Sequence, residues 1–254
     1  MIDLNKSIEE FKKYANQYDM TNKSIKMKYD HSFRVMEESK SIAESLKLSQ
    51  EQTDLATLIG LLHDIARFEQ MKRYGTYRDA ISIDHGDFGA EILDQNNFIR
   101  KFIEDDKYDN TIMIAIRNHN KYDIESNLNQ EELTQAKIIR DADKLDILYE
   151  GTGILWSDPK EIENLCTLKI RDEYFKEFLQ GKSLKRKKDQ NKLEGVLGFF
   201  AFIYDMNYDI SLERIKKEDY INRILDRFNF KEKDTIEKMN EVRKIANEYV
   251  QRKN

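Results

Sequence analysis

Apolar residues recur along this chain at three- and four-residue intervals, the period of a helix with one buried face. Over 30–48 they are Phe33, Val35, Met36, Ile42, Ala43, Leu46 and Leu48. Ser49 then reads as an N-cap, with Gln52 placed for a capping box. Over 55–68 apolar residues cover nearly every face, which predicts a central helix buried all round. The polar stretch 69–82, containing Gly75, reads as a loop. Asp84 is placed to cap a helix through Gly89, Ile92 and Leu93, and another helix is predicted from about Asp109 to His119. A long helix spans 131–149, with Leu133, Ala136, Ile139, Asp143 and Ile147 on one face and Gly151 where a C-terminal cap belongs. Pro159 marks a break after Trp156. A basic run over 182–192 precedes an aromatic stretch over 193–204, and helices over 212–228 and 233–250 close the chain.

Strand-like alternation is absent, so the expected class is all-α. The scarcity of helix breakers agrees: 254 residues contain 9 Gly and 1 Pro. That length suffices for a substantial core. No apolar run reaches the roughly 20 residues of a spanning helix, so no membrane segment is expected. The start of the chain lacks the apolar stretch of a signal peptide, and the lone Cys166 rules out an internal disulfide. Both suit a cytoplasmic protein. With 43 basic and 48 acidic residues the net charge is −5, which disfavours nucleic acid as a partner. The run 182–192 reads as a solvated loop, and the aromatic stretch after it as core or a dimer surface, which admits a homodimer.

The candidate chemistry lies in the four histidines, His31, His63, His85 and His119, all in the first half of the chain. Each falls on the apolar face of a predicted helix. Asp64 adjoins His63, and Asp143 lies on the core stripe of its helix. A carboxylate there needs compensation, because desolvating it costs several kcal/mol, order of magnitude. A divalent cation would provide it, and imidazole with carboxylate suits Mn, Fe, Zn or Ni. Taken singly, each histidine would also suit a hydrogen-bonded core position, and Arg140 or Arg67 could neutralise Asp143. Arg67, three residues after Asp64, projects on the ligand face and suits phosphate, or an ion pair with Asp64. Lys144, beside Asp143, is a second candidate for phosphate, or a solvated side chain.

In order and context these motifs resemble the HD-domain superfamily of metal-dependent phosphohydrolases: HSFRV at His31, LIGLLHDIARF at His63 and Asp64, and IIRDADKLDIL at Asp143. DHGDFGAEIL and IRNHNKY match the two further histidines of two-metal members. The resemblance covers about residues 25–150 and implies an all-α HD-like helical bundle. It divides the chain into a metal-binding domain over 1–155 and a C-terminal helical extension over 156–254, packed on it. It implies one ion on His31, His63, Asp64 and Asp143, and a second on His85 and His119 with Asp64 shared. One or two ions of Mn, Fe, Ni, Co, Zn or Mg would activate a water against a small phosphorylated substrate, a nucleotide among the candidates. Asp64 and Arg67 would be catalytic, with Arg67 and Lys144 binding substrate. The same six ligands would also serve a di-iron oxygenase that cleaves a C–C or C–P bond. A binding module that merely retains the fold should have lost some of the ligands, and all six are present.

Overall fold

The computed structural model describes residues 2–252, among which there are helices and no strand. None of these helices is long and apolar enough to cross a membrane. The chain divides into two compact units between Asp143 and Lys144.

The first unit contains α1 (Leu4–Ala15), α2 (Lys23–Ser45), α3 (Gln50–Leu62), α4 (Ala66–Tyr74), α5 (His85–Asp94), α6 (Asp109–Asn118) and the start of α7 (Gln130–Gly151). α3 is its axis: Leu55, Leu58, Ile59, Leu61 and Leu62 are all fully buried, as an all-round apolar helix requires. α2 crosses it at Gly60, where an added Cβ would lie 2.8 Å from the Val35 carbonyl oxygen and 2.9 Å from the Met36 Cα. Phe11 packs edge-on against Phe33 and Phe68, with ring centroids 5.6 and 5.8 Å away.

Ser49 caps α3 by accepting from the Gln52 amide. The Gln52 side chain does not complete a capping box; it donates to Glu131 and accepts from Gln135, tying α3 to α7. The helix expected to run through Phe68 breaks after Leu62. There His63 Nδ1 lies 2.8 Å from the Gly60 carbonyl oxygen, the acceptor that the Asp64 amide would need to continue the helix. The next bonds tighten to three-residue spacing, Ile65 to Leu62 and Arg67 to Asp64. Residues 69–74, read as loop, belong to α4, which ends at Gly75 in the left-handed region (φ 63°).

The second unit contains the end of α7, then α8 (Pro159–Cys166), α9 (Asp172–Phe178), α10 (Lys192–Phe200), α11 (Asp209–Lys217), α12 (Tyr220–Leu225) and α13 (Lys233–Arg252). Pro159 opens a helix, with Asp158 as its cap, because the first helical position needs no amide hydrogen. Gly151 is the last helical residue and not a left-handed cap; an added Cβ there would meet Ile224 Cδ1 at 3.0 Å. The helix expected over 212–228 is two, separated at Asp219, whose φ is 52°. Between α9 and α10 the basic run forms a loop; Lys187 there is tied to Glu177 and Arg171 is tied to the buried Glu194.

Candidate metal centre

All six candidate ligands lie in the first unit. His31 is mid-way along α2, His63 and Asp64 occupy the break after α3, and His85 opens α5. His119 follows α6, and Asp143 is on α7. Their side chains converge. His31 Nε2 lies 3.2 Å from His63 Nε2, 3.1 Å from Asp143 Oδ1 and 3.5 Å from Asp64 Oδ2. His63 Nε2 lies 3.6 Å from both Asp64 Oδ2 and Asp143 Oδ1. On the other side of the same carboxylate, Asp64 Oδ1 is 3.5 Å from His85 Nε2 and 3.6 Å from His119 Nε2, and those two nitrogens are 2.9 Å apart. Two donors each about 2.1 Å from one ion are separated by about 3.0 Å at a right angle and about 3.4 Å in a tetrahedron. Both sets therefore have the spacing of a coordination shell, with Asp64 presenting one oxygen to each.

Proton placement points the same way. The rear nitrogens of His63 and His119 face carbonyl oxygens, Gly60 at 2.8 Å and Ile116 at 2.6 Å, which can only accept. Nδ1 of each ring must carry the proton, leaving Nε2 as a lone pair. His85 Nδ1 lies 2.5 Å from Asp79 Oδ2, with the same result. So two lone pairs, on His85 and His119, face each other at 2.9 Å. Protonating His85 offers no relief there, because burial, then the Arg67 charge, push it down to about 3 against the pull of Asp79. Burial also lowers His63. Asp64 is 1% exposed, and its Oδ1 is buried without a hydrogen-bond donor. Facing lone pairs and an orphaned carboxylate oxygen are what a cation between them would resolve. The donor set thus fits divalent ions at His31–His63–Asp64–Asp143 and at Asp64–His85–His119.

Two side-chain cations already approach these atoms. Lys28 Nζ contacts Asp64 Oδ2 at 2.8 Å. Arg67 places Nε 3.3 Å from Asp64 Oδ1 and Nη2 3.1 Å from His85 Nε2. Burial alone would raise the Asp64 carboxyl; the Lys28 and Arg67 charges hold it well below the usual carboxylate range. A hydrogen bond from His31 does the same for Asp143 against its burial.

Arg140, a candidate counter-ion for Asp143, directs its guanidinium to the carbonyls of Asn118, Lys121 and Tyr122, fixing the segment after His119. Lys144 lies in the second unit, its ammonium 2.9 Å from Asp205. Asp84 caps α5, and Asp87 pairs with Lys121 at 2.7 Å. The carboxylate that orients His85 is Asp79, in the stretch read only as loop. Lys28 carried a readable signal: it sits three residues before His31, on the same helix face.

The lowered pKa values fix a pH dependence for the metal-free protein. Above pH 6.5, folded and unfolded chains both hold His85 neutral, and stability is complete. Below that, the unfolded chain takes up a proton that the folded chain refuses until about pH 3. Each such histidine costs about 1.4 kcal/mol per pH unit in that window. Asp64, Asp79 and Asp143 add loss of the same sign at more acidic pH, where the unfolded chain protonates carboxylates first. Thermal melts of EDTA-treated protein should be flat between pH 8 and 7 and fall progressively from about pH 6.5 to 5. A constant midpoint down to pH 5 would contradict neutral, buried imidazoles.

The family model described as HD domain matches residues 29–148, the stretch that carries all six candidate ligands. Comparison with curated proteins and with solved structures gives no match.

Proposed function

We propose, from the match of residues 29–148 to the HD-domain family model, that the protein is a metal-dependent phosphohydrolase acting on a small phosphorylated molecule, with nucleotides among the candidates. The observation that carries this reading is the Asp64 carboxylate, buried and turned with one oxygen to each histidine set. Divalent ions held there supply Lewis acidity, which lowers the pKa of a coordinated water towards neutrality and offsets phosphoryl charge. The chain's own residues do the rest. The carbonyls of Gly60 and Ile116 and the Asp79 carboxylate lock three imidazoles with Nε2 as the donor atom. Burial keeps His63 and His85 neutral and excludes competing water from the site.

Lys28 and Arg67 set positive charge on opposite oxygens of Asp64. Arg67 is anchored through Nη1 to Gln70, Tyr77 and Asp79, so Nη2 and Nε face the ligand atoms. That edge of the guanidinium suits two oxygens of one phosphoryl group. Lys28 supplies a second, point-like cation. A phosphate ester bound there would exchange the Lys28 and Arg67 contacts with Asp64 for contacts with its own oxygens.

The direct test is phosphate release. Protein stripped of metal and reloaded with Mn²⁺, Co²⁺, Ni²⁺ or Fe²⁺ is assayed against a panel of phosphorylated metabolites. Ion-dependent release that Arg67→Ala reduces by about 10²-fold or more is expected. If no ion supports release while the Fe²⁺ protein consumes O₂ with an organic substrate, the oxygenase reading takes its place.

A further inference from the structure

Asp79 belongs to no motif, yet four side chains converge on it. Its Oδ2 lies 2.5 Å from His85 Nδ1 and 3.4 Å from Asn120 Nδ2. Its Oδ1 lies 3.0 Å from Arg67 Nη1 and 3.0 Å from Gln70 Nε2. Arg67 is acceptor-free, and Gln70 turns its amide nitrogen to Asp79 because its Oε1 accepts from Arg67. Asn120 also directs its amide nitrogen to Asp84. Every neighbour therefore presents a hydrogen, and only an acceptor-only group satisfies them together. Oδ2 forces the His85 proton onto Nδ1, and Oδ1 holds Arg67 by the nitrogen that points away from the ligand atoms.

We propose that Asp79 is a positioning residue that sets the second metal position and the Arg67 guanidinium together, through one carboxylate. Asparagine at 79 keeps the shape and loses this property. Its amide group must turn hydrogens towards at least one donor. The cheapest adjustment is at His85, whose ring exchanges donor for acceptor without moving, whereas Gln70 and Asn120 would have to rotate their amides and lose their bonds to Ile83 and Asp84. Nδ1 then becomes the lone pair and Nε2 carries the proton, which removes His85 as a ligand on the side of Asp64 and His119. The first position, built from His31, His63, Asp64 and Asp143, has no bond to Asp79 and keeps its donors. The inference rests on the metal centre, and through Arg67 on the phosphohydrolase reading.

Full-length wild type, Asp79→Asn and Asp79→Glu are stripped of metal and titrated with Mn²⁺ by calorimetry. The His85 tautomer is read separately from ¹⁵N shifts of the metal-free protein. The wild type should take up two ions. Asp79→Asn should bind the first within about twofold of wild type and the second about 10- to 100-fold more weakly. Its His85 signal should change from the Nδ1–H to the Nε2–H form. Asp79→Glu, which retains an acceptor, should recover part of the second affinity. Inorganic phosphate should bind less tightly to Mn²⁺-loaded Asp79→Asn than to loaded wild type. Should Asp79→Asn not fold, Gln70→Met, which loosens Asp79 without touching a ligand, should show the same order, second ion weakened and first kept. The proposal is overturned by a wild type that takes only one ion, by equal weakening of both ions, or by an unchanged tautomer. Absence of phosphate release from any substrate, with the metal and tautomer results as expected, would instead remove the hydrolase reading and leave this one standing.

Discussion

Asp64→Ala is expected to abolish turnover and both metal-binding events at once, while the helices persist. Asp64 is the one candidate ligand whose two oxygens face different histidine sets, Oδ2 towards His31 and His63 and Oδ1 towards His85 and His119. Its removal takes a negative charge and a donor atom from both. The loss in phosphate release should reach about four orders of magnitude or more, since nothing else in the site provides the shared charge. His119→Ala is the contrast. It leaves His31, His63, Asp64 and Asp143 in place, so the second ion should weaken far more than the first. Calorimetric Mn²⁺ titration beside far-ultraviolet circular dichroism separates these outcomes from unfolding. An Asp64→Ala protein that still turned over substrate would show that the reacting centre lies elsewhere. Equal loss of both ions in His119→Ala would argue for one strongly coupled centre.

The six candidate ligands stand out in the sequence because each is a polar residue in an apolar register, where burial without a partner is expensive. His31 and Asp143 needed only helical periodicity to be placed. The break between α3 and α4 was not legible, since no breaker residue causes it. It arises because the His63 ring takes the Gly60 carbonyl from the backbone, a side-chain competition that propensity does not report. His119 repeats the device at the end of α6 with the Ile116 carbonyl. Asp79 was hidden for a different reason. The chain between α4 and α5 has no period, so nothing in the order of its residues indicates which carboxylate returns to His85. The two units share this lesson. Asp219 in the left-handed region splits a helix that the apolar pattern alone runs together, and Gly151 is small because Ile224 packs against it. Pattern locates faces; bonds between side chain and backbone decide where elements end.

The second large effect is expected from a residue that touches no ion. Gly60→Ala places a methyl group 2.6 Å from Ser39 Oγ, 2.8 Å from the Val35 carbonyl oxygen and 2.9 Å from the Met36 Cα. Ser39 can rotate away, but the other two atoms are backbone, so α2 must move off α3. Overpacking of this kind costs about 2 to 3 kcal/mol. At about 3 °C per kcal/mol for a chain of this size, the melting midpoint should fall by roughly 6 to 9 °C. The displacement also acts on chemistry. His31 rides on α2 and His63 follows α3, and their Nε2 atoms are 3.2 Å apart across that crossing. A shift of a few tenths of an ångström there changes the bite of the first position, so Mn²⁺ affinity should drop together with stability. Gly198→Ala supplies the control. Gly198 lies inside α10 with no atom within 4 Å of an added Cβ, so alanine there should stabilise by about 0.5 to 1 kcal/mol and leave metal binding unchanged. Wild-type metal affinity in a destabilised Gly60→Ala protein would mean that the His31–His63 spacing is set by something other than the α2–α3 crossing.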